Sequence, residues 1–226
     1  MPLPPGYASS GNAVVAAKGK QIIGARIMKH ALVDPLAAST TSFHTGTPGP
    51  NTTTKQLYRT GLPIPLDVVF NGARATGILD YARNVVITVT HASAVVAVSG
   101  VITGVDQYGK VLTEAWSVTA GTTSKTFTGK KGFARVDSIS VVAVADASAD
   151  TVAAGHGNVF GLDANLDVAS AVKEVVDGAV VTTGTFVAKS SAATDDQRGT
   201  YSPSTAPDGA HDYTVYYLSE QPELSS

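Results

Sequence analysis

The sequence predicts an all-β protein: an antiparallel, jelly-roll-like β-sandwich with an extended N-terminal arm. Short β-branched runs alternate with turns marked by glycine between residues 84 and 145. Hydrophobic residues make up 43% of the 226 positions, mostly as Ala and Val, and much of the remainder is Thr, Ser and Gly. This composition favours strands over helices, because β-branched side chains lose little freedom on a pleated surface.

Charge and composition exclude several classes of function. Only 15% of residues are charged, against about 25% in average soluble proteins, so part of the surface is expected to be covered by other subunits or a larger assembly. The net charge of −2 gives no basic field for phosphates, which argues against nucleic acid as a partner. Cysteine is absent, which excludes disulfides and cysteine-based zinc sites.

No membrane partner is expected either. No apolar run approaches the ~18 residues of a membrane helix. The N-terminus lacks the charged start and apolar core of a signal peptide. We therefore expect a protein that is made in soluble form inside a cell.

Residues 1–65 are expected to form the arm, and residues 66–226 the sandwich, with a looser β subregion from about residue 150. The tract 39–54 is rich in Thr, Ser, Pro and Gly and cannot bury enough apolar area to fold alone. One interpretation is a dispensable tail. We favour an arm that becomes ordered on a partner, because it carries apolar side chains that a free tail would leave in water: Ile22, Ile23, Ile27, Met28, Leu32 and Val33.

Alternation of side chains is clearest in residues 84–91 and 110–118. In the second run, Leu112, Glu114 and Trp116 share one face with Val118. A carboxylate between two large apolar side chains is unusual. We expect Glu114 at a sheet edge or at a subunit contact.

The C-terminal third repeats the strand pattern more loosely. Residues 168–176 are compatible with a short helix or a strand, and periodicity does not decide between them. Four further strands are predicted at residues 158–162, 179–183, 185–188 and 213–218.

The sequence contains no recognisable catalytic or cofactor motif. None of its five histidines has the spacing of a metal-ligand pair, and no nucleophile elbow, P-loop or dinucleotide fingerprint occurs. We therefore expect no enzyme activity, no catalytic residues and no cofactor.

One spacing resembles a calcium loop. Asp163, Asn165, Asp167 and Glu174 fall at positions 1, 3, 5 and 12 of an EF-hand pattern. Position six is Val168 rather than the glycine that the sharp turn needs, and no flanking helices are predicted. We favour an ordinary turn, and these four residues are the candidate ligands of the alternative.

Four tyrosines lie near the C-terminus: Tyr201, Tyr213, Tyr216 and Tyr217. Such residues usually pack across a sheet, in the core or at an interface. The alternative is a stacking platform for a sugar.

Residues 195–209 read Asp-Asp-Gln-Arg-Gly-Thr-Tyr-Ser-Pro-Ser-Thr-Ala-Pro-Asp-Gly and precede the strand predicted at 213–218. Together with Phe160-Gly-Leu162, Tyr81–Val85 and residues 104–109, this segment resembles virion structural proteins of tailed bacteriophages. The similar proteins are capsid cement, decoration or minor head proteins. The resemblance covers roughly residues 66–218, and the predicted arm has no counterpart in it.

The same segment has a physical interpretation of its own. Arg198 can form a two-pronged hydrogen bond to a carboxylate or to carbonyl oxygens, and Gly199 allows a tight turn after it. Tyr201 and Pro203 would then pack the returning chain. We favour an internal latch. The alternative is a contact to a neighbouring subunit, which would place Arg198 and Tyr201 in an interface with Tyr216 and Tyr217.

The resemblance implies a capsid cement or decoration protein that is made in the host bacterial cytoplasm and resides in the virion. Its partner would be the major capsid protein, and a homo-oligomer is expected, with a trimer as one option. The alternatives are a head-fibre or tail module that binds a receptor or glycan, and a head–tail connector or tail component.

Overall fold

The computed structural model describes residues 15–17, 20–22, 26–48, 54–62, 68–91, 97–143, 150–169 and 171–219. Within these ranges the secondary structure consists of strands and turns, with no helix. The predicted all-β class is confirmed, and the arrangement of several packed sheets is consistent with a β-sandwich.

The strands of the N-terminal half are β1 (Val15–Ala17), β2 (Lys20–Ile22), β3 (Arg26–Leu32), β4 (Ser39–Pro48), β5 (Lys55–Tyr58), β6 (Val68–Val69), β7 (Ile78–Thr90) and β8 (Val98–Val105). Those of the C-terminal half are β9 (Val111–Val118), β10 (Lys125–Thr128), β11 (Phe133–Ala143), β12 (Thr151–Gly161), β13 (Ala171–Val176), β14 (Ala179–Val181), β15 (Thr185–Ala188), β16 (Gly199–Ser202) and β17 (Tyr213–Ser219). Residues 171–176 are therefore a strand, which decides the choice that the sequence left open.

The largest sheet folds into two layers, one containing β7 and the other β11, and the pairing of these two strands connects the layers. One layer runs β10–β7–β12–β4, and the other runs β9–β8–β11–β5–β6. The layers join where Phe133 of β11 pairs with Arg83 of β7. All of these pairs are antiparallel except β5–β6, which is parallel. The pairings do not establish a jelly-roll strand order.

A first core fills the space between the two layers. Val85 and Ile87 of β7 belong to the same buried cluster as Ile102 of β8 and Ile139 of β11. Phe43 of β4 is also fully buried in it. Contacts across the gap between the layers are what makes this part of the molecule a sandwich.

A second core lies under a small four-stranded sheet, β14–β13–β17–β3. Its centre is aromatic: the ring centroids of Phe186 and Tyr201 are 4.8 Å apart, and those of Phe186 and Tyr217 are 6.5 Å apart. The remaining buried members are Leu32, Phe160, Leu162, Ala164, Leu166, Tyr213 and Val215.

The expectation of an extended arm through residue 65 is wrong for the described residues from Arg26 onward. Strand β3 pairs with β17 from Arg26 to Leu32, β4 pairs with β12, and β5 pairs with β11. The Thr/Ser-rich tract lacks the apolar area to fold alone, but its backbone completes the ladder of a sheet that already has a core. Residues 1–14, 18–19, 23–25, 49–53 and 63–67 lie outside the described residues.

Glycine at position 155 allows the N-terminal segment to approach β12. A Cβ at Gly155 would lie 1.8 Å from the carbonyl oxygen of Ser39, closer than any real contact. The neighbouring backbone would have to move, since no flexible side chain is available to yield.

We predict that Gly155→Ala lowers the free energy of unfolding by about 2–3 kcal/mol, because the added methyl group overpacks the contact between β12 and β4. Urea denaturation measures this. Gly121→Ala is the matched control, since its Cβ would closely approach only the flexible end of Lys125 and would lie at an ordinary contact distance, 3.9 Å, from the carbonyl oxygen of Thr123. An unchanged midpoint for Gly155→Ala would show that the residues around Ser39 are not docked on β12.

Candidate docking surfaces and the internal latch

The first candidate surface is the outer side of β8 and β9, which we call the uncharged face. Cross-strand pairs place Val101 opposite Ala115 and Thr103 opposite Thr113. Every outward residue of β9 is exposed, and Val111 is 71% exposed. The face contains no charged side chain, and its members are Ser99, Val101, Thr103, Val105, Val111, Thr113, Ala115 and Ser117.

A tight turn holds the two strands of the uncharged face in register. The Asp106 carboxylate accepts hydrogen bonds from the backbone N–H groups of Tyr108 (2.8 Å) and Lys110 (3.0 Å). Gly109 adopts a φ of 79°, a left-handed conformation that favours glycine. The prediction that Leu112, Glu114, Trp116 and Val118 share one face is confirmed, and in the structure that face is the buried one. The same alternation places Val111, Thr113, Ala115 and Ser117 on the opposite side, and the absence of charge among them is the sequence signal for the uncharged face.

The second candidate surface is the outer side of the small sheet, which we call the small-sheet face. It includes three residues predicted as interface: Ile27 (50% exposed), Val33 (60% exposed) and Tyr216, which is half-buried. Its remaining members are Lys29, Ala31, Lys173, Val175, Asp177, Val180, Thr214 and Leu218.

The other predicted interface residues do not lie on an open surface. Leu32, Tyr201 and Tyr217 are buried in the second core, and Met28 packs against it. The prediction is wrong for Leu32, Tyr201 and Tyr217, because strand alternation turns these side chains inward. For Ile22 and Ile23 the side chains lie outside the described part of the structure.

Burial of the tyrosine rings also argues against a sugar-binding site. Tyr201, Tyr213 and Tyr217 are buried, so their rings cannot stack on a ligand from solvent. Tyr217 donates its hydroxyl proton to the carbonyl of Ala164 (3.3 Å), and the same hydroxyl oxygen accepts from the Ala164 N–H (2.9 Å). Burial raises the pKa of both Tyr201 and Tyr217 above the ordinary value.

Arg198 lies in an internal latch rather than on an exposed surface. Its guanidinium pairs with the buried carboxylate of Asp106 and lies 4.5 Å from the ring centre of Tyr108. Asp196 supports the same loop, since it accepts hydrogen bonds from the N–H groups of Arg198 (2.8 Å) and Gly132 (2.9 Å). The segment around Arg198 thus ties the β8–β9 turn and the β10–β11 connection of the large sheet to the second core.

The β8–β9 turn makes a second set of contacts to the same region. Gln107 donates its side-chain N–H to the carbonyl of Leu162 (2.7 Å), and Tyr108 donates its hydroxyl to the carbonyl of Asp163 (2.5 Å). The Asp163 carboxylate in turn lies 2.7 Å from Nδ1 of His30. This hydrogen bond from His30 lowers the pKa of Asp163.

The calcium alternative is not supported, because its four ligands are used separately. Asp163 pairs with His30, and Asp167 pairs with Lys189. Glu174 is fully buried in β13 and accepts hydrogen bonds from backbone N–H groups of neighbouring loops. Across the described ranges, no group of three or more His, Cys, Asp or Glu side chains is placed to hold a metal ion. Asn165 is the remaining candidate, and it also makes an interaction of its own.

Glu114 does not lie at an open edge as expected. It is 2% exposed, on the inner side of β9 under the 129–132 turn. One of its carboxylate oxygens accepts a hydrogen bond from the N–H of Lys130 (2.7 Å). The other oxygen is buried without a hydrogen bond. Burial raises the pKa of Glu114 from 4.5 to about 7, although the nearby backbone donors oppose this rise.

The histidines are mostly internal. His91 lies 2.7 Å from the buried carboxylate of Asp150, and His156 lies 2.8 Å from the hydroxyl of Ser42. Burial lowers the pKa of His156 to about 4, so this ring is neutral at physiological pH. Ser42 and His156 are a hydroxyl–imidazole pair, but both are buried and a substrate has no direct access to them.

Comparison of the chain with protein-family models, with curated proteins and with solved structures gave no match in any of the three. None of the described residues belongs to a helix that is long and apolar enough to cross a membrane.

We predict that Glu114→Gln changes the pH dependence of stability. The folded pKa of Glu114 is raised, so its favourable contribution is complete below about pH 4.5 and is lost as the pH rises through about 7. The loss amounts to about 3 kcal/mol at most, and the glutamine variant avoids it. Urea denaturation between pH 5 and pH 8 should therefore show that the free energy of unfolding of the variant rises relative to that of the parent protein as pH increases.

The comparison between parent and variant is necessary because His156 acts with the opposite sign. Its folded pKa is lowered, so the free energy of unfolding falls as the pH drops from about 6.5 towards 4. Both proteins share that term, and it cancels in the difference. A difference that stays constant across the range would refute the raised pKa of Glu114.

Proposed function

We propose that this protein is a structural component of a bacteriophage virion, a capsid cement or decoration protein that binds the major capsid protein and stabilises the shell. The observation that carries the proposal is the uncharged face, where eight outward positions on two paired strands expose no charge. The resemblance of residues 195–209 to phage virion proteins supports the same assignment.

The chemistry of the uncharged face suits adhesion to another protein. Burying Val, Ala and Thr side chains in a contact desolvates no charge. Each Å² of apolar area removed from water contributes about 25 cal/mol to the binding free energy. Eight residues of strand at about 3.3 Å per residue form a strip of about 26 Å, which gives a small contact. Many weak contacts arranged by the symmetry of a shell add up to strong attachment through avidity.

Rigidity is the second property that supports this function. Two cores and the Arg198–Asp106 latch hold the β8–β9 hairpin in place before any partner arrives. A preorganised face loses little conformational entropy on binding. In the proposed mechanism the protein therefore bridges neighbouring capsid subunits as a rigid body. It would be synthesised in the host bacterial cytoplasm.

Two finer features belong to the proposal. One is a jelly-roll-like connection of the sandwich strands. The other is a shortened N-terminal arm limited to residues before Arg26, since β1 and β2 pair only with each other among the described residues. The glycan-binding alternative loses support, because three of its four candidate tyrosines are buried.

The uncharged face gives a direct test. We predict that Ala115→Glu weakens binding to empty shells of the major capsid protein by about tenfold or more, because a carboxylate would be desolvated in the contact. Co-sedimentation with shells over a concentration series measures the affinity. Thermal unfolding of the variant confirms that the exposed substitution leaves the fold intact.

Val187→Glu is the matched control, since Val187 is exposed on β15, away from the uncharged face. Its shell binding should equal that of the parent protein. Absence of shell binding by the parent protein would refute the proposed function. Equal binding by Ala115→Glu and the parent protein would refute the assignment of this face.

A further inference from the structure

The small-sheet face is organised in rows of side chains that run across its strands. A central row contains Ala31, Thr214, Val175 and Val180, which are direct cross-strand neighbours on β3, β17, β13 and β14. These side chains are apolar apart from one threonine, and Val180 is 65% exposed. The opposite side of the sheet covers the second core, so this outer side is the one available for contact.

A basic row lies two residues from the central row. Lys29 and Lys173 flank Tyr216 on either side, as its cross-strand neighbours. Both lysines are exposed. Arg26 lies beyond them at the same end of the sheet, but it pairs with the buried Ser219 and alternates to the other side, so it is not part of this row.

These basic side chains differ from most others in the protein. Among the residues whose side chains the structure describes, Lys29 and Lys173 form no ion pair or hydrogen bond through their side chains, and the same holds for Arg26 and for Lys125 on β10. Other basic side chains contact acceptors of the same chain. Arg59 pairs with Asp137, Lys131 donates to the carbonyl of Thr113, and Arg74 donates to the carbonyl of Ile78. The two cations of the basic row are therefore available to a partner.

An acidic row lies two residues from the central row in the other direction. Continuing the register brings Val33, Asp212 and Asp177 side by side, and the N–H of Asp177 donates to the carbonyl of Asp212 (3.0 Å). Asp34 and Asp208 add two more carboxylates at this end, and all four aspartates are exposed. His211 lies among them and pairs with Asp208 (2.8 Å) and Asp177 (3.7 Å), so four carboxylates surround one basic group. The face is therefore positive at one end, apolar in the middle and negative at the other end.

We propose that the small-sheet face binds a second copy of this chain, with a two-fold axis that crosses the strands at the central row. Such an axis places each strand antiparallel to its own copy, and the apolar central rows meet. Lys173 then faces Asp177 of the second copy, and Tyr216 faces Asp212 of the second copy. Each pairing occurs twice, since both chains use the same patch.

Charge complementarity selects this occupant. A second copy rotated about this axis matches both charged ends at once, whereas a uniformly acidic partner would repel the aspartate end. The face is small: three strand spacings of about 4.8 Å across, and about 20 Å along the strands. An interface of this size falls in the weak, transient class, so the dimer is expected to form at high protein concentration and to weaken with salt.

Self-association through this face does not depend on shell binding, and it is tested on the full chain in solution. Sedimentation velocity over a series that extends into the sub-millimolar range should show a monomer–dimer equilibrium for the parent protein. Lys173→Glu should weaken association by about tenfold or more, because it places like charges opposite each other. Lys125→Glu is the control and should leave association unchanged.

A charge exchange provides the sharper test. The double variant Lys173→Glu/Asp177→Lys restores opposite charges across the two-fold axis, and it should recover most of the lost association. Asp177 also accepts a hydrogen bond from the N–H of Asp212 (2.8 Å), so thermal unfolding checks that the double variant is folded. Thr214→Glu, which places two carboxylates face to face on the axis, disrupts the dimer without touching Asp177.

Three results would overturn the dimer. The first is a parent protein that stays monomeric across the whole series. The second is a dimer that Lys173→Glu and Thr214→Glu leave equally stable. The third is a loss of shell binding by Lys173→Glu at an unchanged oligomeric state, which would assign this face to the capsid instead. Loss of shell binding by Ala115→Glu tests the other face and has no bearing on the dimer.

Discussion

The buried carboxylate of Asp106 joins the sandwich to the part of the molecule that contains the second core. It fixes the β8–β9 turn through two backbone N–H groups and receives the guanidinium of Arg198 from the segment beside the second core. A charge buried at this position is stable only while all of these donors are present. Together with the pairing of β12 with β16 and the hydrogen bonds between Tyr81 and Val33, these contacts fix the relative placement of the sandwich, the small sheet and both exposed faces.

Internal use of charge explains why the surface contains so little of it. Asp80 pairs with Arg83, Asp137 with Arg59, and His91 with Asp150, in each case between residues that are buried or half-buried. With 15% of residues charged, such pairs leave few ions for the exterior. Because few charged side chains remain for the surface, one exposed face contains no charge and the other contains charge only at its two ends.

Local patterns predicted much of the fold, and long-range pairing accounts for most of what they missed. The alternation in residues 110–118 separated the two faces of β9 because period-two patterning depends on neighbours in sequence. Nothing local shows that residues 26–32 pair with 213–219, or that residues 39–48 lie beside β12. Alternation likewise separated Tyr216 from Tyr217, but it does not state which of the two faces the core.

Pairing between Arg26 and Ser219 has a consequence for the order of folding. Strands β4 to β16 lie between β3 and β17 along the chain, and β17 is the only described neighbour of β3. Closing so long a loop costs more conformational entropy than pairing adjacent strands such as β8 and β9. We therefore expect β3 to join the small sheet after the sandwich has formed, so an intermediate in which only the sandwich is folded lacks the complete small-sheet face.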